Sequence, residues 1–229
     1  MNDKEEKITF SEFGIALSLA IASLFLWNSI ILLPIKLMTV FFHELSHGIV
    51  AILTGGRIIG ISLTINEGGV CSHSGGIPIL VASAGYLGSL LWGSGILLAS
   101  LKKGFNKRIC QAIAVFFIVV TGLWIRDIQA IAITVTIAVS LLYISANLKE
   151  KYCSIFLKYI SLISCFYVVF DIKDDLLDRT VPLSDAYQIS KSIFPSFMVA
   201  PGSYIIGLLW MAVAIFIMWK VIKYALKSQ

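Results

Sequence analysis

The chain has 229 residues, of which 58% are hydrophobic and 14% charged, and a mean hydropathy of +0.91. A soluble domain carries roughly 25% charged residues, so these values exclude an ordinary soluble fold and point to an all-α polytopic membrane protein of about six or seven transmembrane helices. The net charge of +5 is no sign of a nucleic-acid partner, because Lys and Arg collect at the ends of apolar stretches.

The opening "MNDKEEK" mixes acidic and basic residues ahead of an apolar run with no small-residue cleavage site, so no removable signal peptide is expected. Apolar stretches near the roughly 20 residues needed to cross a hydrocarbon core fall at 12–33, 35–54, 78–100, 109–125, 128–146, 153–171 and 203–222. Little sequence is left between them, which predicts one integral-membrane domain over 1–229. Pro34 separates the first two stretches, either as a boundary or as a kink within one re-entrant element.

The predicted helix 35–54 contains "FFHELSHGIV". Ionisable groups within the membrane are costly and mark functional sites, and two of the chain's three histidines are here. His43, Glu44 and His47 spell H-E-x-x-H. Four-residue spacing on a helix puts both imidazoles on one face, where they can share a Zn2+ ion, with Glu44 beside them as general base. Zinc brings the pKa of water from 15.7 toward about 7, so Glu44 can accept a proton and later deliver it to a leaving amine.

Next comes "TGGRIIGISLTINEGGVCSHSGG". Its glycines stop the helix, and its β-branched run and turn residues predict a hairpin over about 57–72. An extended segment cannot face lipid with unpaired backbone groups, so it must lie at the interface or against protein. There it offers an edge to which a peptide can add as a strand. In the third span, Ala84, Gly88, Ser89 and Gly93 repeat at about four-residue intervals, as close helix packing requires. Cys71, Cys110, Cys153 and Cys165 show no C-x-x-C spacing and read as small buried hydrophobes. Arg126 and Asp127 read as a turn between spans. Trp92, Trp124, Trp210 and Trp219 read as interfacial anchors or core.

Residues 170–194 are polar and hold five of the thirteen acidic residues. "PLSDAYQISKSIF" reads as a short helix with Ser184 or Asp185 at its N-cap. A catalytic zinc takes three protein ligands and keeps one position open. His73 is one candidate for the third, although a lone loop histidine is more often a solvated surface group. Asp171, Asp174 and Asp175 are better placed, sharing one helical face at the end of an apolar span, with a solvated helix end as the alternative. Asp185 is a further candidate, with N-capping as its alternative.

The runs "KKGFNKR", "KEKYCSIFLK" and "WKVIKYALK" carry 4, 3 and 3 basic residues and fall on one side of the membrane if all seven spans cross. The positive-inside rule makes that side, and the C-terminus, cytoplasmic.

"HELSHGIVAILTGG", the extended segment after it, "AGYLGSLLWG" and "FDIKDDLLDRTVPLSDA" together resemble the site-2 protease-like intramembrane zinc metalloproteases, in particular a small branch with an AGYLG helix and a D-I-x-D-D…S-D-A pattern. The resemblance covers about residues 40–190. It implies that His43 and His47 are zinc ligands, that Glu44 is the base, that a later aspartate completes the site, and that a membrane-protein substrate is cut in or near the bilayer. Better-known members take their third ligand from an Asn-x-x-Pro…Leu-Asp-Gly signature, which this chain lacks. "FDIKDD" stands in its place and makes Asp171 the first choice. A straight sixth span sets Asp171 near the membrane surface, whereas the histidines lie eight to twelve residues inside their helix, about 12–18 Å at 1.5 Å per residue. A tilted, broken or re-entrant helix would close that gap. Two other functions compete: a membrane zinc hydrolase acting on a lipid or other amide or ester, and a non-enzymatic ion path or scaffold. No residue is assigned to substrate binding.

Overall fold

The computed structural model describes residues 3–66, 68–174 and 184–227, with side chains from residue 12 onward. Asp175, one of the candidate ligands, lies outside the described residues. Helix α1 (Asp3–Phe25) ends in a turn, and a 3-10 turn (Ile30–Leu32) leads into α2 (Leu33–Leu53). The expected single span over 12–33 is therefore corrected. Its apolar helix is Glu12–Phe25, and residues 30–33 belong with α2. The cause is Pro34, which sits in the first turn of α2, where its missing N–H leaves no helical bond unmade. It starts a helix and kinks none.

Helix α2 stops where Gly55 turns into the left-handed region, at φ +88°. An antiparallel hairpin follows, β1 (Arg57–Leu63) with β2 (Gly69–Ser74), pairing Ile61 with Cys71 and Leu63 with Gly69 and irregular between Ile58 and Gly60. It runs two residues beyond the predicted end. Ile58, Ile61 and Leu63 are buried in the same core as Phe41 and Leu45 of α2, so the hairpin lies against protein, as its backbone groups require.

Four long helices come next: α3 (Pro78–Ser100), α4 (Asn106–Trp124), α5 (Ile128–Asn147) and α6 (Glu150–Lys173). The short α7 (Asp185–Ile193) and the long α8 (Val199–Lys227) close the described chain. Among the described residues, six segments are long and apolar enough to cross a membrane: Ile30–Leu53, α3, α4, α5, α6 and Ser196–Lys227. The fold is all-α and polytopic, with one hairpin.

Helix α3 packs on both sides through its small residues. A side chain at Gly88 would collide with Ser46 of α2, and one at Gly93 would come within 2.8 Å of the Ser161 carbonyl and the Cys165 sulfur of α6. The Ser164 hydroxyl of α6 donates to the Ser89 carbonyl of α3 at 2.9 Å. Phe42 stacks on Trp92 at 5.1 Å and Phe41 on Phe117 at 4.0 Å, tying α2 to α3 and α4.

The loops are held by local capping. Arg126 and Asp127 form the α4–α5 turn. Asp127 accepts from the Ala130 N–H at 2.8 Å to cap α5, while Arg126 donates to the carbonyls of Gly122, Leu123 and Ile125 at the end of α4. Ser184 caps α7, accepting from the Tyr187 N–H at 3.2 Å. The three basic runs gather at one end: Lys103 and Lys151 border one cavity, and Lys102 and Lys220 another. The hairpin and the start of α7 lie at the other end.

Candidate metal centre

His43, Glu44 and His47 are each only 8% exposed, although all three open onto a cavity of about 660 Å³ whose walls include β2, Trp27, Tyr167 and Asp185. One helical turn brings the two imidazoles together, with ring centroids 4.8 Å apart. The Nδ1 of His47 lies 2.7 Å from the Val81 carbonyl. A carbonyl only accepts, so Nδ1 carries the proton and Nε2 is left with its lone pair. The Nδ1 of His43 faces the Asp171 carboxylate at 3.3 Å, and Asp171 in turn accepts from the Tyr167 hydroxyl at 3.2 Å. His47 therefore has a hydrogen-bond acceptor behind it and His43 a carboxylate at ion-pair distance, and both present Nε2 in front.

In front of both stands Asp185. Its Oδ2 is 3.2 Å from His43 Nε2 and its Oδ1 is 3.4 Å from His47 Nε2. One donor atom from each of the three residues lies within 4.8 Å of the others. Ligand atoms 2.0–2.2 Å from a tetrahedral ion are roughly 3.3–3.6 Å apart, close to the 3.2 and 3.4 Å between Asp185 and the two Nε2 atoms. Asp185 Oδ2 is buried and has no hydrogen-bond partner among the described residues, an expensive condition for a carboxylate oxygen unless a cation completes it. Two imidazole nitrogens and one carboxylate oxygen suit Zn2+ and leave a fourth position open.

Asp171, the first choice from the sequence, thus stands behind the His43 ring, while Asp185, the alternative, meets both Nε2 atoms. Asp174 borders the cavity and pairs with Lys173 at 3.4 Å. His73 bonds its own loop, at the Gly75 carbonyl, 3.1 Å away. The depth difficulty is resolved by where helices end. Beyond His43, α2 continues for ten residues, about 15 Å, whereas Asp171 lies two residues before the last α-helical residue described in α6, Lys173. The C-terminal part of α6 and the start of α7 both meet the motif, at Asp171 and Asp185.

Glu44 is held from the hairpin side. Gly69 lies so close that an added Cβ would stand 2.6 Å from Glu44 Cγ and 2.7 Å from its Oε1. Cys71 is outside the spanning helices; burial, and secondarily the charge of Glu44, pushes its thiol up to about 12. Several residues of the site had no assigned role in the sequence. At Gly85 of α3, any side chain would strike both the His43 ring and Asp185. Tyr86, 1% exposed, accepts from the Ala186 N–H at 3.4 Å and so positions the residue after Asp185. Trp27, from the α1–α2 turn, stacks on Phe170 at 4.7 Å and has the Lys36 ammonium 4.9 Å from its ring. The glycine and tyrosine belong to the "AGYLG" stretch, which was the available signal; Trp27 had none.

Residues 16–221 match the Peptidase M50B-like family. The chain belongs to that family. As a Peptidase M50B-like protein it is an integral membrane metallopeptidase of the site-2 protease type, in keeping with its six long apolar helices. No curated protein and no solved structure matches the chain.

Proposed function

We propose that this protein is an intramembrane zinc metalloprotease that hydrolyses a peptide bond of a membrane-protein substrate in or near the bilayer. The observation that carries the reading is the convergence of His43 Nε2, His47 Nε2 and the Asp185 carboxylate, drawn from α2 and α7, with an oxygen left unpartnered. In this reading His43, His47 and Asp185 hold the ion, and Asp171 and the Val81 carbonyl fix the tautomer and tilt of the two rings, as outer partners of metal-bound histidines do. Bound there, zinc would polarise the scissile carbonyl and make water acidic enough to lose a proton near neutrality.

The remaining work falls to side chains and backbone. Glu44 takes the proton from water and hands it to the departing amine. The close approach of Gly69 keeps its carboxylate turned to the cavity. An extended substrate reaches the centre along β2, whose residues Gly69, Val70 and Cys71 border the cavity, by adding as a strand. The β2 wall and the peptidase family favour a peptide over a lipid amide or ester.

Replacing Glu44 by Gln tests the reading. The purified variant is expected to retain about one zinc per chain and to lose cleavage of a co-reconstituted substrate, which it instead traps. Cleavage at the wild-type rate would remove Glu44 from the role given to it.

A further inference from the structure

The end of the bundle remote from the metal centre has a second built cavity, of about 270 Å³, between the α3–α4 loop and the start of α6. Its floor is a buried ion pair. Lys158, 1% exposed, donates to Glu12 at 3.0 Å and to the Ser154 hydroxyl at 2.7 Å, while Ser154 donates to Glu12 at 2.7 Å. That charge is internally neutralised. At one wall, Glu150 accepts from the N–H groups of Asn106 and Lys107 at 2.6 and 3.3 Å, which satisfies the N-terminus of α4. Two features remain without partners among the described residues. Lys103 and Lys151 are exposed at the rim and make no ion pair. Asn106, 2% exposed, borders the cavity with a buried Oδ1 that has no hydrogen bond.

We propose that this cavity binds the headgroup of an anionic phospholipid, its phosphate between Lys103 and Lys151 and a headgroup hydroxyl donating to Asn106 Oδ1. A buried amide oxygen without a donor has lost its water and gained nothing in return, so the pocket is made for a group that brings one. The cavity lies where α3, α4 and α6 meet the membrane surface, among the basic runs 102–108 and 149–158, and basic pockets between spanning helices at that level suit anionic headgroups. With Lys158 matched by Glu12, the lining keeps two cations against the single carboxylate of Glu150, a net charge that one phosphate complements. A phosphocholine group fits less well, since it carries no donor for Asn106 and no net charge.

The test is native mass spectrometry of the full-length protein in detergent, titrated with phosphatidylglycerol and separately with phosphatidylcholine, with millimolar inorganic phosphate as competitor. Phosphatidylglycerol is expected to bind more tightly than phosphatidylcholine and to resist the competitor. Lys103→Gln/Lys151→Gln is expected to weaken it by about 30-fold, from the usual worth of a basic residue at the headgroup level. Asn106→Leu should narrow the preference over phosphatidylcholine. If that variant does not fold, the lysine pair, being exposed, still decides. Equal binding of the two lipids, an unaltered affinity in the double lysine variant, or displacement of the lipid by inorganic phosphate would each overturn the proposal.

Discussion

Asp185 and Asp171 stand on opposite sides of one imidazole: Asp185 Oδ2 is 3.2 Å from His43 Nε2, and Asp171 Oδ2 is 3.3 Å from His43 Nδ1. Only Asp185 also reaches His47, at 3.4 Å. The two carboxylates therefore make different predictions. Asp185→Ala is expected to lose zinc, while Asp171→Asn is expected to keep it with affinity lowered about 10–100-fold, the usual effect of an outer partner. Metal content after purification and competition with a chelator measure both. Zinc retained by Asp185→Ala and absent from Asp171→Asn would reverse the assignment.

Gly85 leaves room for the meeting of His43 and Asp185, because any Cβ there would strike both. Gly85→Ala is expected to abolish stoichiometric zinc binding while leaving far-UV circular dichroism unchanged, since alanine is a good helix former. Gly95→Ala serves as the control, as nothing lies within 4 Å of a Cβ at that position. Equal zinc in the two variants would show that α3 can yield at Gly85.

The motif helix was legible because its spacing is local: four residues on an α-helix fix which side chains share a face, and no tertiary knowledge is required. The hairpin was legible for a similar reason, since glycines and β-branched residues mark it within a short window. Asp185 was harder. Its local signature, Ser-Asp ahead of a helix, reads equally well as a cap, and Ser184 does cap α7. What gives Asp185 its place is contact with α3, through Gly85 and Tyr86, and no window around residue 185 contains that. The first span failed because apolar composition continues across residues 26–33, whereas the chain's direction is set there by a turn and by Pro34.

Lys158 and Glu12 join α6 to α1 at 3.0 Å with little exposure, the side chains being 1% and 13% accessible. Removing one partner leaves the other charge buried and unmatched, at a cost of about 3–5 kcal/mol. Lys158→Met alone is expected to lower stability in detergent by about that amount, and Glu12→Gln added to it should restore much of the loss. A double variant no better than the single would mean that water already reaches the pair.

Cys71 has its thiol held up to about 12 by burial and by Glu44, against about 8.5 for an unperturbed cysteine. Because the pKa is raised, the reactive thiolate is scarce in the folded protein throughout the neutral and mildly alkaline range and becomes abundant only near the folded value. A maleimide at pH 8 is expected to leave Cys71 unlabelled in the native protein and to label it after denaturation. Mapping of the modified peptide separates it from the other three cysteines. Fast native labelling at pH 8 would show β2 standing away from Glu44.

The basic runs after α3, at the start of α6 and along the end of α8 share one end of the bundle, and the positive-inside rule predicts that this end faces the cytoplasm. A reporter that is active only in the cytoplasm, fused after Gln229, is expected to be active, whereas the same reporter inserted between β1 and β2, after Thr64, is expected to be silent. The hairpin and the metal centre lie at the opposite end of the same helices, so the two fusions must disagree if each spanning helix crosses once. Activity of both would mean that the hairpin end of the bundle does not reach the far side, and a substrate would then have to approach the candidate metal centre from the cytoplasm.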